Sequence, residues 1–351
     1  MTRGGAGAAG AAGAAGTASA SRYSRGSLAE RVRGFRGRRV VVIGDVILDR
    51  YLWGRATRVS AEAPVLVVDV DREELRLGGA ANVAHNVRSL GATPILFGVA
   101  GEDAASAILR RELHSREVDP DGGVVADSNR RTSLKTRIIA HQQQVLWADE
   151  ETREPIAETV LDELWRRIMR ALPEADAVLV SDYGKGVVTP TLLERLLPEL
   201  KRRGIPSAVD PKEEHFLRYR GVDVITPNLS EASQAWGRRI RTAEELLAAG
   251  FGLREKLSAG AVLITRGEEG MSLFTAEGHT PFPTRARNVY DVTGAGDTVV
   301  AVMGVALASR SPLPEACVIA NHAAGIVVAE LGTAAATSER VIESLEDLPV
   351  G

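Results

Sequence analysis

Asp291-Val292-Thr293-Gly294-Ala295-Gly296-Asp297-Thr298, followed by the apolar run Val299 to Ala308, is the stretch on which the reading of this chain turns. Small residues open a helix here. The first N–H groups of a helix have no intrahelical partners and carry the positive end of its dipole. Gly294 and Gly296 let the backbone come close to a phosphate, so Gly294-Ala295-Gly296 reads as an anion hole. Asp297 falls in the first turn and faces the same space. An acid beside an anion hole makes chemical sense as a base that takes a proton while a phosphoryl group gathers charge. The plain structural alternative makes Asp297 only an N-terminal helix charge. A lone Gly-x-Gly means little; the eight-residue string in this setting means much more.

On the N-terminal side of that helix the chain alternates between short apolar β-branched runs and helical periodicity. Val40 to Ile43, Pro94 to Val99, Ala177 to Val180, Ser207 to Val209, Val224 to Thr226 and Val262 to Thr265 read as buried strands. Ala80 to Leu90, Asp103 to Leu113, Ile156 to Leu172, Thr189 to Arg203 and Thr242 to Leu257 read as helices. The alternation predicts an α/β fold with a central, mostly parallel β-sheet flanked by helices on both faces. Polar residues recur just after the strands: Asp45, Asp182, Asp210, Asn228, Arg266. In such sheets the ligand crevice lies outside the carboxyl ends of the strands. Val65 to Val70, Arg131 to Ala140 and Val145 to Ala148 look like strands without partner helices, with His141 to Gln144 as a hairpin turn. They predict a small second sheet acting as a lid, with segments near 50–76 and 130–150, or else an edge extension of the main sheet.

Bulk properties narrow the function. The 351 residues have 44% apolar content and a net charge of −3. A sizeable core follows, and the ordered part shows no concentrated basic patch of the kind a nucleic-acid partner needs. The single cysteine, Cys317, sits in an apolar setting and reads as a buried thiol. The longest apolar run is too short to span a bilayer. Residues 1–20 are almost entirely Gly and Ala without a compact leader-like core, and 1–37 reads as a disordered Gly/Ala/Arg-rich tail ahead of one domain over 38–351. A cytoplasmic enzyme without nucleic-acid or membrane partners is expected.

The Asp291-to-Thr298 string resembles the C-terminal signature of the PfkB, or ribokinase-like, carbohydrate kinases. The N-terminal counterpart is present as Gly78-Gly79-Ala80-Ala81-Asn82-Val83-Ala84 with Leu90-Gly91-Ala92. The resemblance covers roughly Arg38 to Thr337. Within that family, Gly44-Asp45-Val46-Ile47-Leu48-Asp49-Arg50-Tyr51 is similar to the opening of the D-glycero-β-D-manno-heptose-7-phosphate kinases. So are Arg58 to Val65, Lys135-Thr136-Arg137, Ser181 to Gly186, Val209 to Lys212 and Thr226 to Glu231. The bifunctional members also carry a nucleotidyltransferase with a His-x-Gly-His type motif. No two histidines here have that spacing, so adenylyl transfer is expected to belong to another chain.

The resemblance implies transfer of the ATP γ-phosphoryl group to an anomeric hydroxyl, with Asp297 as base and the amides of Ala295, Gly296 and Asp297 as anion hole. It places Asn228, Leu229, Ser230 and Glu231 at ATP, with Glu231 holding Mg²⁺ through water. A helix cap and first-turn acid is the plain alternative for Ser230 and Glu231. Arg266, Gly267, Asn321 and Ala324 would border the nucleotide, or simply pack. Asp45, Gly78, Gly79 and Asn82 are the sugar-side candidates. Something basic must meet the acceptor's own phosphate. Lys135 and Arg137, two apart on one strand and so on one face, and Lys185 are the candidates. Asp291 and Thr293 would help hold a monovalent cation such as K⁺. A homodimer through the lid is expected. Another sugar as substrate, or a non-catalytic sugar- or nucleotide-binding regulator, remain as alternatives.

Overall fold

Val40 to Ile43 and Ala177 to Val180 pair in parallel at the heart of a large sheet. Their side chains alternate between two faces, and both faces are buried. The structure is a computed structural model, describing residues 23–141, 143–285, 292–330 and 335–348. In chain order the elements are α1 (Arg25–Arg33), β1 (Arg39–Gly44), β2 (Val46–Val59), β3 (Leu66–Gly78), α2 (Gly79–Ser89), β4 (Thr93–Ala100), α3 (Ala104–Ser115), β5 (Val124–Ala126), β6 (Ser133–Ala140), β7 (Gln143–Glu150), α4 (Glu158–Ala171), β8 (Ala177–Ser181), α5 (Pro190–Arg203), β9 (Ser207–Asp210), β10 (Val224–Ile225), α6 (Leu229–Trp236), α7 (Ala243–Leu257), β11 (Ala261–Thr265), β12 (Met271–Phe274), β13 (His279–Phe282), α8 (Ala295–Ala308), α9 (Leu313–Val328) and α10 (Ser338–Ser344).

Among the described residues the main sheet runs β13-β12-β11-β10-β9-β8-β1-β4-β5. It is parallel from β11 to β5, and β12 pairs antiparallel with both its neighbours. Helices cover both of its faces. Val40, Val42 and Leu179 face one core layer with α1, α2, α8, α9 and α10. Val41, Ile43 and Val180 face the other with α4, α5, α6 and α7. No described helix is long and apolar enough to cross a membrane.

The second sheet runs β3-β2-β6-β7, which bears out the small second sheet expected from these segments. The strand expected at Val65 to Val70 is the first half of the longer β3, and β2 continues from β1 after a one-residue corner at Asp45. In register, Asp49 lies opposite Lys135 and Arg76, and Tyr51 opposite Arg137 and Glu74. Side-chain alternation therefore gathers Asp49, Tyr51, Arg76, Lys135 and Arg137 on one face. The expected turn at His141 to Gln144 is tighter, since β7 already begins at Gln143; Gln142 lies outside the described residues.

The tail expected over 1–37 is corrected at its C-terminal end. α1 is capped by Ser24, whose side chain accepts the Ser27 N–H. Leu28, Val32 and Phe35 are fully buried in the core. Their i, i+4, i+7 spacing is a helical signal that the surrounding arginines obscured. Arg25 pairs with Glu346 and Arg31 with Glu315, tying this helix to the C-terminal elements. Residues 1–22 lie outside the described ones.

Candidate active site

Asp297 opens α8 and is only 4% exposed. Gly294, the N-cap, takes φ 80°, a left-handed conformation that glycine adopts freely. Both carboxylate oxygens of Asp297 are engaged. Oδ2 accepts from Asn82 Nδ2 at 2.6 Å, and Oδ1 accepts from the Tyr183 hydroxyl at 2.6 Å. Burial raises its pKa to about 6; the two donors pull it down, and the nearby Asp49 carboxylate pushes it up. Asn82 sits in the first turn of α2, where Asn86 Nδ2 donates to its carbonyl at 2.9 Å. The Asn82 amide is therefore bonded to the carboxylate rather than being a self-contained helix amide. In the Gly294-Ala295-Gly296 turn, the Ala295 N–H turns back on the Val292 carbonyl at 3.3 Å. Gly296 is exposed, and a Cβ there would meet nothing within 4 Å. Space for a ligand thus lies at Gly296 and Asp297 rather than at Ala295.

Asp45, expected on the sugar side, does a different job. Its carboxylate accepts the backbone N–H groups of Tyr183 at 2.8 Å, Lys185 at 3.1 Å and Val187 at 3.1 Å. It is an internal clamp on the turn after β8, and its oxygens are spent on peptide groups. Burial, and then Asp182, raise its pKa to about 6, while those three N–H groups lower it. The acid that faces the site is Asp49, four residues on. It is 4% exposed, pairs with the Arg137 guanidinium, and lies close enough to Asp297 to perturb it. Sequence reasoning passed over Asp49, although Gly44 to Tyr51 contains both acids. The paired glycines also act differently from expectation. A Cβ on Gly78 would fall 2.4 Å from Asp49 Oδ2, and one on Gly79, at φ +55°, would fall 2.3 Å from the Asp45 carbonyl. The first space they clear is for these two protein groups.

The lid face above Asp49 is cationic. Arg137 stacks on Tyr51 and on Trp147, and Arg76 stacks on the Tyr51 ring. Arg76 is 8% exposed; its Nε and Nη2 bond Glu74, and Nη1 is buried with no partner among the described residues. Lys185 Nζ bonds Glu151 at 2.7 Å. Lys135 is held below the ordinary lysine range by burial and then by Lys185, with Asp149, Glu151 and Asp49 opposing. Lys135, Arg137 and Lys185 therefore do converge, and Arg76 joins them unforeseen. Each has an acidic neighbour, Asp49 for Arg137, Glu74 for Arg76, Glu151 for Lys185 and Asp149 beside Lys135, so an incoming anion would meet them by displacing or sharing these partners.

A cavity of about 230 Å³ adjoins Gly296 and is lined by Asp182, Tyr183, Asp210, Lys212, Thr226, Asn228, Glu231 and Thr265 among others. Asn228 and Glu231 form a capping box at the start of α6. Asn228 Oδ1 accepts from the Ser230 and Glu231 N–H groups, and Glu231 Oε2 accepts from the Asn228 N–H at 2.8 Å. The cap is therefore Asn228, while Ser230 is an exposed first-turn residue and Leu229 is half-buried beside it. Burial raises the Glu231 pKa. Asp210 is raised well above the carboxylate range by burial, then by Asp297, Glu231 and Asp182. These acids line one cavity with Lys212 as the nearby cation, and Asp182 is already taken by the Gly184 N–H, the His215 ring and the Tyr219 hydroxyl.

The remaining candidates scatter around this rim. Arg266 is turned inward, with Nη1 on Glu269 Oε2 at 2.6 Å, and so braces its own tight turn; Gly267 follows in that turn with open space beside it. Asn321 on α9 donates to the Pro283 carbonyl at 2.6 Å, so it holds the segment that leads toward α8. Ala324 is half-buried one turn further along. Thr293 stands half-buried just ahead of α8, and Asp291 lies outside the described residues.

A family model described as pfkB family carbohydrate kinase matches residues 38–340. The chain is 42% identical to the "Bifunctional protein HldE" of Paramagnetospirillum magneticum, over 93% of this chain and 67% of that protein. It is 46% identical to the protein of the same name from Geobacter sulfurreducens, over 87% of this chain and 62% of that one. The chain thus spans about two thirds of the length of these curated relatives. Among solved structures it resembles Arabidopsis thaliana ribokinase complexed with ribose and ATP, with TM-score 0.69, 21% identity, and coverage of 89% of this chain and 99% of that chain. It also resembles Escherichia coli phosphofructokinase-2 in complex with substrates and products, with TM-score 0.73, 17% identity and the same coverage.

Proposed function

The chain belongs to the pfkB family of carbohydrate kinases, and we propose that its reaction is ATP-dependent phosphorylation of D-glycero-β-D-manno-heptose 7-phosphate at the anomeric hydroxyl, yielding the 1,7-bisphosphate used to make ADP-heptose. The observation behind this reading is one buried carboxylate, Asp297, at the mouth of α8, with a cationic lid face beyond Asp49. The heptose-kinase-like strings and the similarity to the HldE proteins supply the sugar.

In the proposed step, ionised Asp297 takes the proton of the anomeric hydroxyl. The sugar oxygen bonds the γ-phosphorus as the bond from that phosphorus to the β–γ bridging oxygen breaks, and the electron pair leaves on ADP. The N–H groups of Gly296 and Asp297 stabilise the oxygens in transit, an interaction that strengthens as charge develops. Asn82 and Asp49 orient sugar hydroxyls. Lys135, Arg137, Lys185 and Arg76 meet the phosphate already on the sugar. Asn228, Leu229, Ser230, Gly267, Asn321 and Ala324 border ATP. Glu231, beside the same cavity, would hold Mg²⁺ through water, where the ion would neutralise phosphate charge. Thr293 and Asp291 remain the proposed place for a monovalent cation. Highly charged sugar phosphates and ATP imply a cytoplasmic setting.

A homodimer through the lid completes the proposal. Val59, Leu66, Val70, Leu146 and Trp147 are more than half exposed there, and β7 is exposed along its length. Exposed apolar residues on both edge strands of this sheet, β3 and β7, favour a second copy. The deciding experiment incubates the protein with ATP, Mg²⁺ and heptose 7-phosphate and reads the product by phosphorus NMR. A new resonance coupled to the anomeric proton is expected. Turnover of ribose or a hexose phosphate in preference would move the substrate, and binding without turnover would make the chain a regulator.

A further inference from the structure

Tyr183 lies in the turn after β8 and is tied at both ends. Its hydroxyl donates to Asp297 Oδ1 at 2.6 Å, while its backbone N–H donates to Asp45 Oδ2 at 2.8 Å. The turn itself is fastened from two directions. Asp45 holds three of its N–H groups. From the roots of the lid, Arg130 Nη2 donates to the Lys185 carbonyl, Lys185 Nζ bonds Glu151, and the Ile156 N–H donates to the Gly186 carbonyl at 3.0 Å. The ring therefore arrives at Asp297 from a backbone with little freedom, which is what a precise hydrogen-bond donor needs.

We propose that Tyr183 is a positioning residue that holds the Asp297 carboxylate in its ionised, productively aimed state. This rests on Asp297 being the base. The groups facing Asp297 come from four elements. Asn82 on α2 donates to Oδ2. Tyr183 donates to Oδ1. Asp49 on β2 repels its charge. Asp210 at the end of β9 is close enough to have its own ionisation opposed by Asp297. Burial opposes ionisation most strongly, and the two donors are what counter it. The phenol remains a donor, because burial and then the Asp297 charge hold its pKa well above 10. Each carboxylate oxygen has a second lone-pair site, so the bond from Tyr183 leaves room for the substrate proton.

The sign of the effect follows. Deleting the Tyr183 hydroxyl leaves Asn82 alone against burial and Asp49, so the Asp297 pKa rises. Single-turnover phosphoryl transfer, measured from pH 5 to 9 with saturating ATP and sugar phosphate, should show a wild-type acid limb near 6. In Tyr183→Phe that limb should move up by about one unit, lowering the rate roughly fivefold at pH 6 and less than twofold at pH 9. The KM for ATP should not change. A limb coincident with wild type overturns the proposal. If the Phe variant does not fold, 3-fluorotyrosine at position 183, a stronger donor of nearly the same shape, should move the limb down, and an unmoved limb overturns the proposal equally. The underlying reading fails separately: Asp297→Asn near the wild-type rate removes the base itself, whereas an inactive Asp297→Asn beside an unshifted Tyr183→Phe removes only the role of Tyr183.

Discussion

Asp297→Asn is expected to lower single-turnover phosphoryl transfer about 10²–10⁴-fold, the usual worth of a positioned base, while ATP affinity stays within a few-fold. The amide has nearly the shape of the carboxylate and can still accept the Tyr183 hydroxyl, but it cannot take a proton from the sugar. The same substitution should not weaken the fold. The wild-type pKa is raised from an ordinary 3.8 to about 6, so between those values the folded protein holds more protons than the unfolded chain. Stability therefore falls as pH rises through this window, and the ionised form at pH 8 carries a burden of about 3 kcal/mol. Asn removes that burden, partly offset because its own N–H₂ competes with the Asn82 donor. The variant should melt at or above the wild-type temperature at pH 8 by calorimetry. Retention of a tenth or more of the wild-type rate would sink the assignment of the base.

Arg137→Leu is expected to harm both the fold and sugar binding. The Asp49 and Arg137 side chains are 6% and 11% exposed, a nearly dry ion pair. Removing one partner of a buried pair costs about 3–5 kcal/mol, because the other charge is left without compensation. Here the stranded charge is Asp49, already close to Asp297. Arg76 and Lys135 nearby offset part of the loss. The stacking of the guanidinium on Tyr51 and Trp147 is lost as well. The expected result is a lower melting temperature together with a KM for the sugar phosphate raised ~10²-fold, the scale of a lost buried charge-assisted hydrogen bond, and an unchanged KM for ATP. Arg137→Lys should recover part of the binding, since it restores the charge without the planar fork. A variant with unaltered melting and an unaltered KM for the sugar would remove Arg137 from the site.

The parts of the fold legible in the sequence were those whose signal is local. β1, β4, β8, β9 and β11 are short apolar runs buried on both faces, and the polar residues after them mark one edge of the sheet. α8 was legible because three small residues precede a long apolar run. β2 was not read as a strand, because Asp49, Arg50, Arg55 and Arg58 interrupt its apolar pattern; pairing with β3 and β6 forms it, burying Asp49 while Arg55 and Arg58 stay exposed. The site failed in the same way. Asp45 and Asp49 are equivalent as letters. What separates them is the turn over residues 183–187, which reaches back across the sheet to occupy Asp45 and leaves Asp49 for Arg137. Tyr183 meets Asp297 across 114 positions of chain, and no local pattern announces that meeting.

The packing of α1 against α9 and α10 also bears on how the molecule is made. Leu28, Val32 and Phe35 share one core layer with Val341 and Leu345. On the ribosome the first of these elements leaves the exit tunnel long before its partners exist, so its greasy side must wait, uncovered, through most of translation. Early intermediates with such unshielded segments are the ones that aggregate or recruit chaperones. The docking of α9 and α10 onto α1 is then the step that covers that surface.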